Sequence, residues 1–391
     1  MGFADISHIA FPWDLLHGFK ELAQSTNGTF VDVSVGTPVD PTPQVVQEAL
    51  TAGADAPGYP LTYGTIELRQ AVVEWCARRR GATVLESSGV MPTVGSKELV
   101  GLLPSLLHLG AGDVVVHPAI AYPTYDVGAK LAGATALPVA RVDEWRDNPS
   151  VRLVWVNTPA NPHGAVMSVA ELREVVDAAR SIGAIVVSDE CYAELPWTPD
   201  LQRSGVPSLL DSQVNGGSLA GLLMTYSLSK QSSMAGYRAA FVAGDPNLVR
   251  QLVALRKHLG MIVPAPVQQA MQAALRDDEH VAVQRALYGA RRTKLVDALL
   301  DHGLKITHSQ AGLYLWVTSP HELPLSSRAE TLREQANIEL PGAGWNLVGY
   351  LADRGILAAP GAFYGPQGGD CVRVALTASD DAIDAFVTQL C

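Results

Sequence analysis

Cysteine is scarce in this chain of 391 residues: Cys76, Cys191, Cys371 and Cys391, with no C-x-x-C pair. That excludes a disulfide framework and a zinc finger and fits a reducing compartment. Basic residues are also in deficit, 28 Lys and Arg against 39 Asp and Glu, for a formal charge of −11. A surface for DNA or RNA phosphates needs the opposite balance, so no nucleic-acid partner is expected. An anionic small ligand is still compatible, provided the cations that receive it are gathered in one site. Long unbroken apolar runs are missing as well. Charge-free stretches such as 153–170 and 212–229 are interrupted by Asn, Pro, Gly or Ser, so no transmembrane helix and no membrane partner are predicted. The opening MGFADISHIAFPWDLL has no basic segment and carries Asp5, Pro12 and Asp14 where the apolar part of a signal would lie. A cytoplasmic location is expected. His8, His17 and His258 have no metal-ligand spacing, so no metal is expected.

What is present is apolar material, 48% of residues against 17% charged, enough for a large core. The length sets a soft prior of about two to three domains. The runs LVWV (153–156), AIVV (184–187) and LLMTY (222–226) read as strands buried on both faces. Between them Ser168 and Glu171 form a capping box ahead of the stripe Leu172, Val175, Val176, Ala179. Asp245-Pro246 reads as another helix start, continued by Leu248, Leu252, Leu255 and Leu259. Strand–helix alternation of this kind predicts an α/β fold with a mostly parallel sheet between helices. After about residue 275 the rhythm changes: a helical stretch over 276–303, a strand at 313–317, a helix near 343–354, short strands at 356–358 and 372–376, and a helix from Ser379 carrying Ile383, Phe386, Val387 and Leu390. The predicted division is an irregular, Pro-rich arm with part of the small domain (1–45), a large ligand-binding domain (46–275) and a smaller α+β domain (276–391).

Four segments carry chemistry. In SLSKQSSMAGYR (227–238) a lysine follows a buried strand, where desolvation favours its neutral, nucleophilic form. Arg238 supplies a planar fork for a phosphate, and Ser227 and Ser229 add hydroxyls. Standing alone, this segment leaves the plainer reading ahead, an exposed loop lysine and a structural arginine. In SDECY (188–192) Asp189 follows a strand and projects where α/β sheets bind ligands. A buried carboxylate there needs a cation, and Tyr192 offers a phenol to the same ligand. An Asp that caps the next segment is the plainer alternative. NTPANPHG (157–164) has two prolines that stiffen a loop around Asn161, or it is merely a turn. TVGSKELVGLL (93–103) joins strand to helix through Gly95, leaving the N–H groups of Ser96 and Lys97 as an anion seat, although such joints are common.

Standing in order at successive strand ends, these segments resemble the class I/II, fold type I, pyridoxal-phosphate-dependent aminotransferases. The resemblance runs from VGTP (35–38) to the C-terminal arginine. It rests on YPLTYGTIELR (59–69), the Gly-Ser-Lys joint, AYPTY (121–125), N-x-P-x-N-P-x-G, D-x-x-Y, S-x-S-K with Arg238, and PGAFYG…R (360–373). It implies a large domain with a seven-stranded, mostly parallel sheet, a smaller α+β domain and pyridoxal 5′-phosphate as cofactor. Lys230 would hold the cofactor covalently and shuttle the substrate proton, and Asp189 would keep the pyridine nitrogen protonated. Asn161 and Tyr192 would bond the ring hydroxyl, and Tyr122 would stack on the ring. Ser96, Lys97, Ser227 and Arg238 would hold the phosphate, with Tyr59 reaching across from the second subunit of a homodimer. Gly36, Asn161 and Arg373 would position the substrate, Arg373 by a two-pronged contact with the α-carboxylate. His163 and Ala240 depart from the family's usual Thr and Gly without removing a charge or the nucleophile.

The stretch 226–271 resembles the N-succinyldiaminopimelate aminotransferases of lysine biosynthesis, whose amino donor is glutamate. The implied substrates are an amino acid and a 2-oxo acid with distal carboxylates, which require a second basic group. Arg256, Lys257 and Lys97 are candidates, and a solvated helix face is the plainer alternative for the first two. A broad-specificity aminotransferase and a C–S lyase on the same fold are the rival activities. A transcription regulator of this fold is not expected, since the acidic balance opposes it and the roughly 30 residues before VGTP are too few for a helix-turn-helix domain.

Overall fold

The computed structural model describes residues 12–390. The segment bearing Asp5 and His8, and Cys391 at the other end, lie outside the described residues. By internal contacts the chain forms two units: Thr37–Gly289 with Ser309–Leu313, and the described residues up to Gly36 together with Ala290–His308 and those from Tyr314 onward.

Strand β1 (Val31–Asp32) comes first in the chain. The larger unit then builds seven strands: β2 (Val90–Val94), β3 (Val114–Pro118), β4 (Thr135–Val139), β5 (Val151–Asn157), β6 (Ile185–Asp189), β7 (Leu222–Ser227) and β8 (Ala239–Gly244). Their order is β2-β8-β7-β6-β5-β3-β4, parallel except for β8, which runs against both neighbours. This is the predicted α/β arrangement. Every residue of β7 is buried, which is why its sequence is a continuous apolar run rather than an alternation. Among the described residues three apolar clusters pack on the sheet, one of them around Met224, Tyr226 and Phe241, and two others along the parallel strands. Met91, Val115, Leu153, Trp155 and Val242 contribute to one; Val116, Val154, Val156 and Val186 contribute to the other with Leu172, Val175, Val176 and Ala179 of the helix Val169–Ile182. The capping box of that helix is present: Glu171 N–H donates to Ser168 Oγ, and Ser168 N–H to Glu171 Oε2 at 2.7 Å.

The smaller unit contains β9 (Lys305–Thr307), β10 (Tyr314–Thr318), β11 (Ile356–Leu357), β12 (Ala359–Pro360) and β13 (Val372–Ala375). They form an antiparallel sheet β12-β13-β10-β9 and a parallel pair β1-β11. The C-terminal helix Asp380–Leu390 buries Ile383, Phe386 and Leu390.

Two expectations need correction. The stretch read as an irregular arm holds a helix, His17–Gln24, which buries Phe19, Leu22 and Ala23; the prolines nearby hid a short 3.6-residue stripe. In the helix Pro246–Leu259 the buried positions are Val249, Leu252 and Arg256, whereas Leu259 is 51% exposed. The inward face is therefore offset from the leucine stripe.

Candidate active site

Because β8 is antiparallel, its first residues share a sheet edge with the carboxyl ends of the parallel strands. Register places Asn157 beside Asp189, Asp189 beside Thr225, and Ser227 beside Ala240. That edge therefore gathers the Gly95 joint, Asn161, Asp189, Lys230 and Arg238 on the connections leaving β2, β5, β6 and β7 and entering β8. Ligand binding at the carboxyl ends of strands is the general rule for such sheets.

Asp189 is 7% exposed. Its Oδ2 accepts from the Tyr125 hydroxyl at 2.9 Å, and its Oδ1 accepts from the Cys191 N–H at 3.2 Å. Among the described residues no Lys, Arg or His nitrogen pairs with it. Burial raises its pKa, opposed by the bonds from Cys191 and Tyr125. Tyr125 is itself fully buried and its pKa is pushed well up, by burial first and by Asp189 next, so it stays a donor. The motif AYPTY was read for Tyr122 alone. Tyr125 went unassigned, and its position at the motif's end was the signal. Tyr122 sits edge-on to Tyr125, ring centroids 6.1 Å apart.

Asn157 is a second residue the sequence left without a role. Its Nδ2 donates to the backbone oxygen of Asp189 at 2.9 Å, and its Oδ1 accepts from Asn161 N–H at 2.7 Å. One amide thus ties the buried Asn161 loop to the Asp189 loop. Both proline bonds of that loop, Thr158–Pro159 and Asn161–Pro162, are cis rather than ordinary extended links. His163, at the position of the family's Thr, accepts from Ala165 N–H through Nδ1 at 3.2 Å. Tyr192 is 8% exposed on the turn after Asp189.

At the phosphate end, the helix Ser96–Leu106 begins after Gly95 (φ +73°) with no side-chain cap, leaving its first-turn N–H dipoles for an anion. Arg238 stands in the left-handed region (φ +53°), and its carbonyl accepts from Gly95 N–H at 2.7 Å. The positive φ favours glycine at 95, and a Cβ added there would push the Arg238 guanidinium from its place. Ser227 Oγ caps the lysine turn and donates to Ser229 Oγ at 2.7 Å. Lys97 is exposed, its Nζ 5.9 Å from the Tyr122 ring centre.

The substrate candidates Gly36 and Arg373 belong to the smaller unit, where Tyr314 joins them. Arg373 is 4% exposed, donates to Ser34 O at 2.6 Å and lies with its guanidinium carbon 4.0 Å from the Tyr314 ring centre. A Cβ at Gly36 would strike the Tyr314 hydroxyl. Tyr314 was visible in the sequence only as part of a strand.

Arg256 is corrected. It is completely buried and grips Glu98 with both prongs, Nη1 to Oε2 at 2.9 Å and Nη2 to Oε1 at 2.6 Å. A guanidinium so engaged is a structural pair and has no prong for a substrate carboxylate. Lys257 is exposed, its Nζ 6.0 Å from the Tyr63 ring centre. Tyr59 is 100% exposed.

These residues fit pyridoxal phosphate. The donor set at the first turn of the helix Ser96–Leu106, Ser229 and Arg238 suits a dianion, and the buried carboxylate of Asp189 is placed where a ring N–H⁺ would complement it.

Comparison with known proteins gives the same answer. A sequence model of the family described as aminotransferase class I and II matches residues 29–390. The 4-dedimethylamino-4-oxo-anhydrotetracycline transaminase OxyQ of Streptomyces rimosus is 48% identical over 97% of this chain and 98% of its own. An LL-diaminopimelate aminotransferase of Desulforudis audaxviator is 33% identical over 82% and 83% of the two chains. An aminotransferase structure from Neisseria meningitidis matches with a TM-score of 0.80 at 29% identity, covering 97% and 96%. With a family match over almost the whole length and a seven-stranded sheet of the same build, this chain belongs to the class I and II aminotransferases, fold type I enzymes that use pyridoxal 5′-phosphate.

Proposed function

We propose that this chain moves an amino group between glutamate or 2-oxoglutarate and N-succinyl-LL-2,6-diaminopimelate, in diaminopimelate and lysine biosynthesis, as a cytoplasmic homodimer. The observation that carries the catalytic part is the buried carboxylate of Asp189, held by Tyr125 and Cys191 and paired with no cation among the described residues. When bound, pyridoxal 5′-phosphate supplies an aldehyde for an amine and a pyridine ring that draws off the electron pair left at the substrate Cα. Asp189 holds the ring's N–H⁺ in place. Lys230 Nζ would be the base that takes the proton from the substrate Cα. Asn161 and Tyr192 orient the ring hydroxyl and Tyr122 covers its face, so that the breaking C–H bond points at Lys230. Ser96, Lys97, Ser227, Ser229 and Arg238 are the phosphate group. Gly36 and Arg373 keep the substrate roles given by the family resemblance, and Tyr59, wholly exposed, is the residue offered to a second copy.

The acidic acceptor is supported by the resemblance of 226–271, by diaminopimelate aminotransferases among the relatives, and by the exposed cations Lys97 and Lys257, the two candidates that remain. A second reading is favoured by the higher identity to OxyQ: a transaminase for a bulky cyclic ketone without distal carboxylates. Rates with 2-oxoglutarate separate them. N-succinyl-LL-2,6-diaminopimelate should exceed alanine and tyrosine by about 100-fold, because a site built for a charge rejects ligands lacking it. Equal rates would leave a broad-specificity aminotransferase, and pyruvate released from cystathionine would indicate a C–S lyase.

A further inference from the structure

The lysine-bearing turn, Leu228–Gln231, is a single four-residue helical turn. A helix that short does not hold itself in water, because nucleation costs more than its few bonds return. Its anchors come from one face of the helix Glu279–Asp301. His280, Gln284 and Tyr288 are spaced by four residues and so share that face. The Tyr288 hydroxyl donates to the backbone oxygen of Lys230 at 3.3 Å. Ser233 Oγ donates to Gln284 Oε1 at 3.2 Å, and Gln284 Nε2 is itself held by Asp40 at 2.8 Å. Ser232 Oγ meets His280 Nε2 at 2.8 Å, and His280 Nδ1 meets Asp277 Oδ2 at 3.1 Å.

The direction of this chain of bonds is determined. Tyr226 donates to Gln231 Oε1 at 2.6 Å, and Gln231 Nε2 donates to Ser232 Oγ at 3.2 Å. Ser232 therefore has its own hydrogen to give, and Nε2 of the neutral His280 ring accepts it, because the Asp277 carboxylate beside Nδ1 can only accept. The imidazole proton then sits on Nδ1, facing the Asp277 carboxylate. Ser232 is completely buried, so this Ser–His–Asp array offers no nucleophile to solvent and serves geometry instead.

We propose that His280, acting through Ser232 and together with Gln284 and Tyr288, is a positioning residue that sets the orientation of the Lys230 turn for covalent capture of the cofactor. The inference rests on Lys230 being the cofactor-binding lysine. Burial lowers the His280 pKa, opposed by the bond and charge of Asp277 and the charge of Asp278, which Arg78 in turn pairs. The ring is therefore neutral and accepting at neutral pH. Protonating it would turn Nε2 into a donor and break the order of the chain.

The test uses the full-length protein stripped of cofactor, in wild type and in Ser232→Ala, His280→Leu and the conservative His280→Gln, which keeps an uncharged acceptor. The rate of borohydride-stable attachment of pyridoxal 5′-phosphate at Lys230 is measured by peptide mapping. Non-covalent affinity is measured with 4′-deoxypyridoxine 5′-phosphate, which has no aldehyde. Ser232→Ala and His280→Leu should slow attachment about tenfold, the effect of one lost orienting bond, with analogue affinity unchanged within about twofold. His280→Gln should recover most of the rate. As pH falls below the ordinary histidine value near 6.5, moreover, the wild-type rate should fall towards that of His280→Leu. Unchanged attachment in Ser232→Ala and His280→Leu would overturn the positioning role, as would a loss of analogue affinity equal to the loss of rate. If wild type is not labelled at Lys230 at all, it is the lysine assignment that fails, a separate result.

Discussion

Asp189 is the residue at which folding and function pull in opposite directions. Its pKa is raised by burial, so the folded apoprotein binds that proton more tightly than the unfolded chain does. The stability gained is present below the ordinary carboxylate range and is lost as pH rises through the folded value. Once that proton is lost, the cofactor-free fold carries an uncompensated buried charge. Asp189→Asn should raise the unfolding midpoint of the apoprotein by about 2 °C while the cofactor is lost readily on desalting. Calorimetry of the apoprotein with absorbance after gel filtration reads both, and an apoprotein made less stable would contradict the account. Gly95 shows the complementary case, legible as a strand-to-helix joint, although its contact with Arg238 appears only in three dimensions. Asp189, Lys230 and Arg238 were legible because each charge follows or leads an apolar strand. Tyr125 and Asn157 were not, since an aromatic and an amide inside a motif carry no sign that their partner lies on another strand.

The elements around the site are held by charges as well as by apolar faces. Arg256, near the end of the helix Pro246–Leu259, grips Glu98 in the first turn of the helix Ser96–Leu106 and also donates to Met261 O at 3.0 Å. Glu98 Oε1 in turn accepts from Val94 N–H at 3.0 Å, at the end of β2. This pair fixes the helix whose start bears Ser96 and Lys97. Glu98→Ala leaves a buried guanidinium uncompensated and should cost about 3 kcal/mol in urea unfolding. Joining it with Arg256→Met should return most of that loss, because an apolar pair needs no desolvation. Arg256→Met alone should raise KM for acidic and neutral substrates alike, in contrast to a residue that contacts a distal carboxylate. Strands were legible from their unbroken apolar runs and helices from their caps. The burial of Arg256 was not: periodicity gives a face only to within one position, and a charge on that face reads as solvated until its partner is found.

At the scale of the whole molecule, pH sensitivity follows from groups buried out of their preferred state. His117 and His280 both have pKa values lowered by burial. His117 Nδ1 meets Pro118 O at 2.9 Å, while its Nε2 is buried with no partner. The unfolded chain binds these protons first, so their contribution is full above the ordinary histidine value near 6.5 and is lost as pH falls. Asp189 and Glu190, raised by burial, slope the other way, from the ordinary carboxylate value upward. Urea midpoints of the apoprotein should therefore fall from pH 7 to pH 5, and His117→Gln with His280→Gln should flatten that fall. An unchanged slope in the double variant would remove the histidines from the explanation.

The α/β class, the sheet's buried strands, the ordered motifs and the acidic balance were all determined by the sequence alone, because apolar period, capping and charge are local and survive without neighbours. Which glutamate takes Arg256, which hydroxyl holds Asp189, and which helix face steadies the Lys230 turn were decided by tertiary structure. Those contacts join residues as far apart as Glu98 and Arg256, and a hydrogen bond of a few ångströms leaves no trace in spacing along the chain.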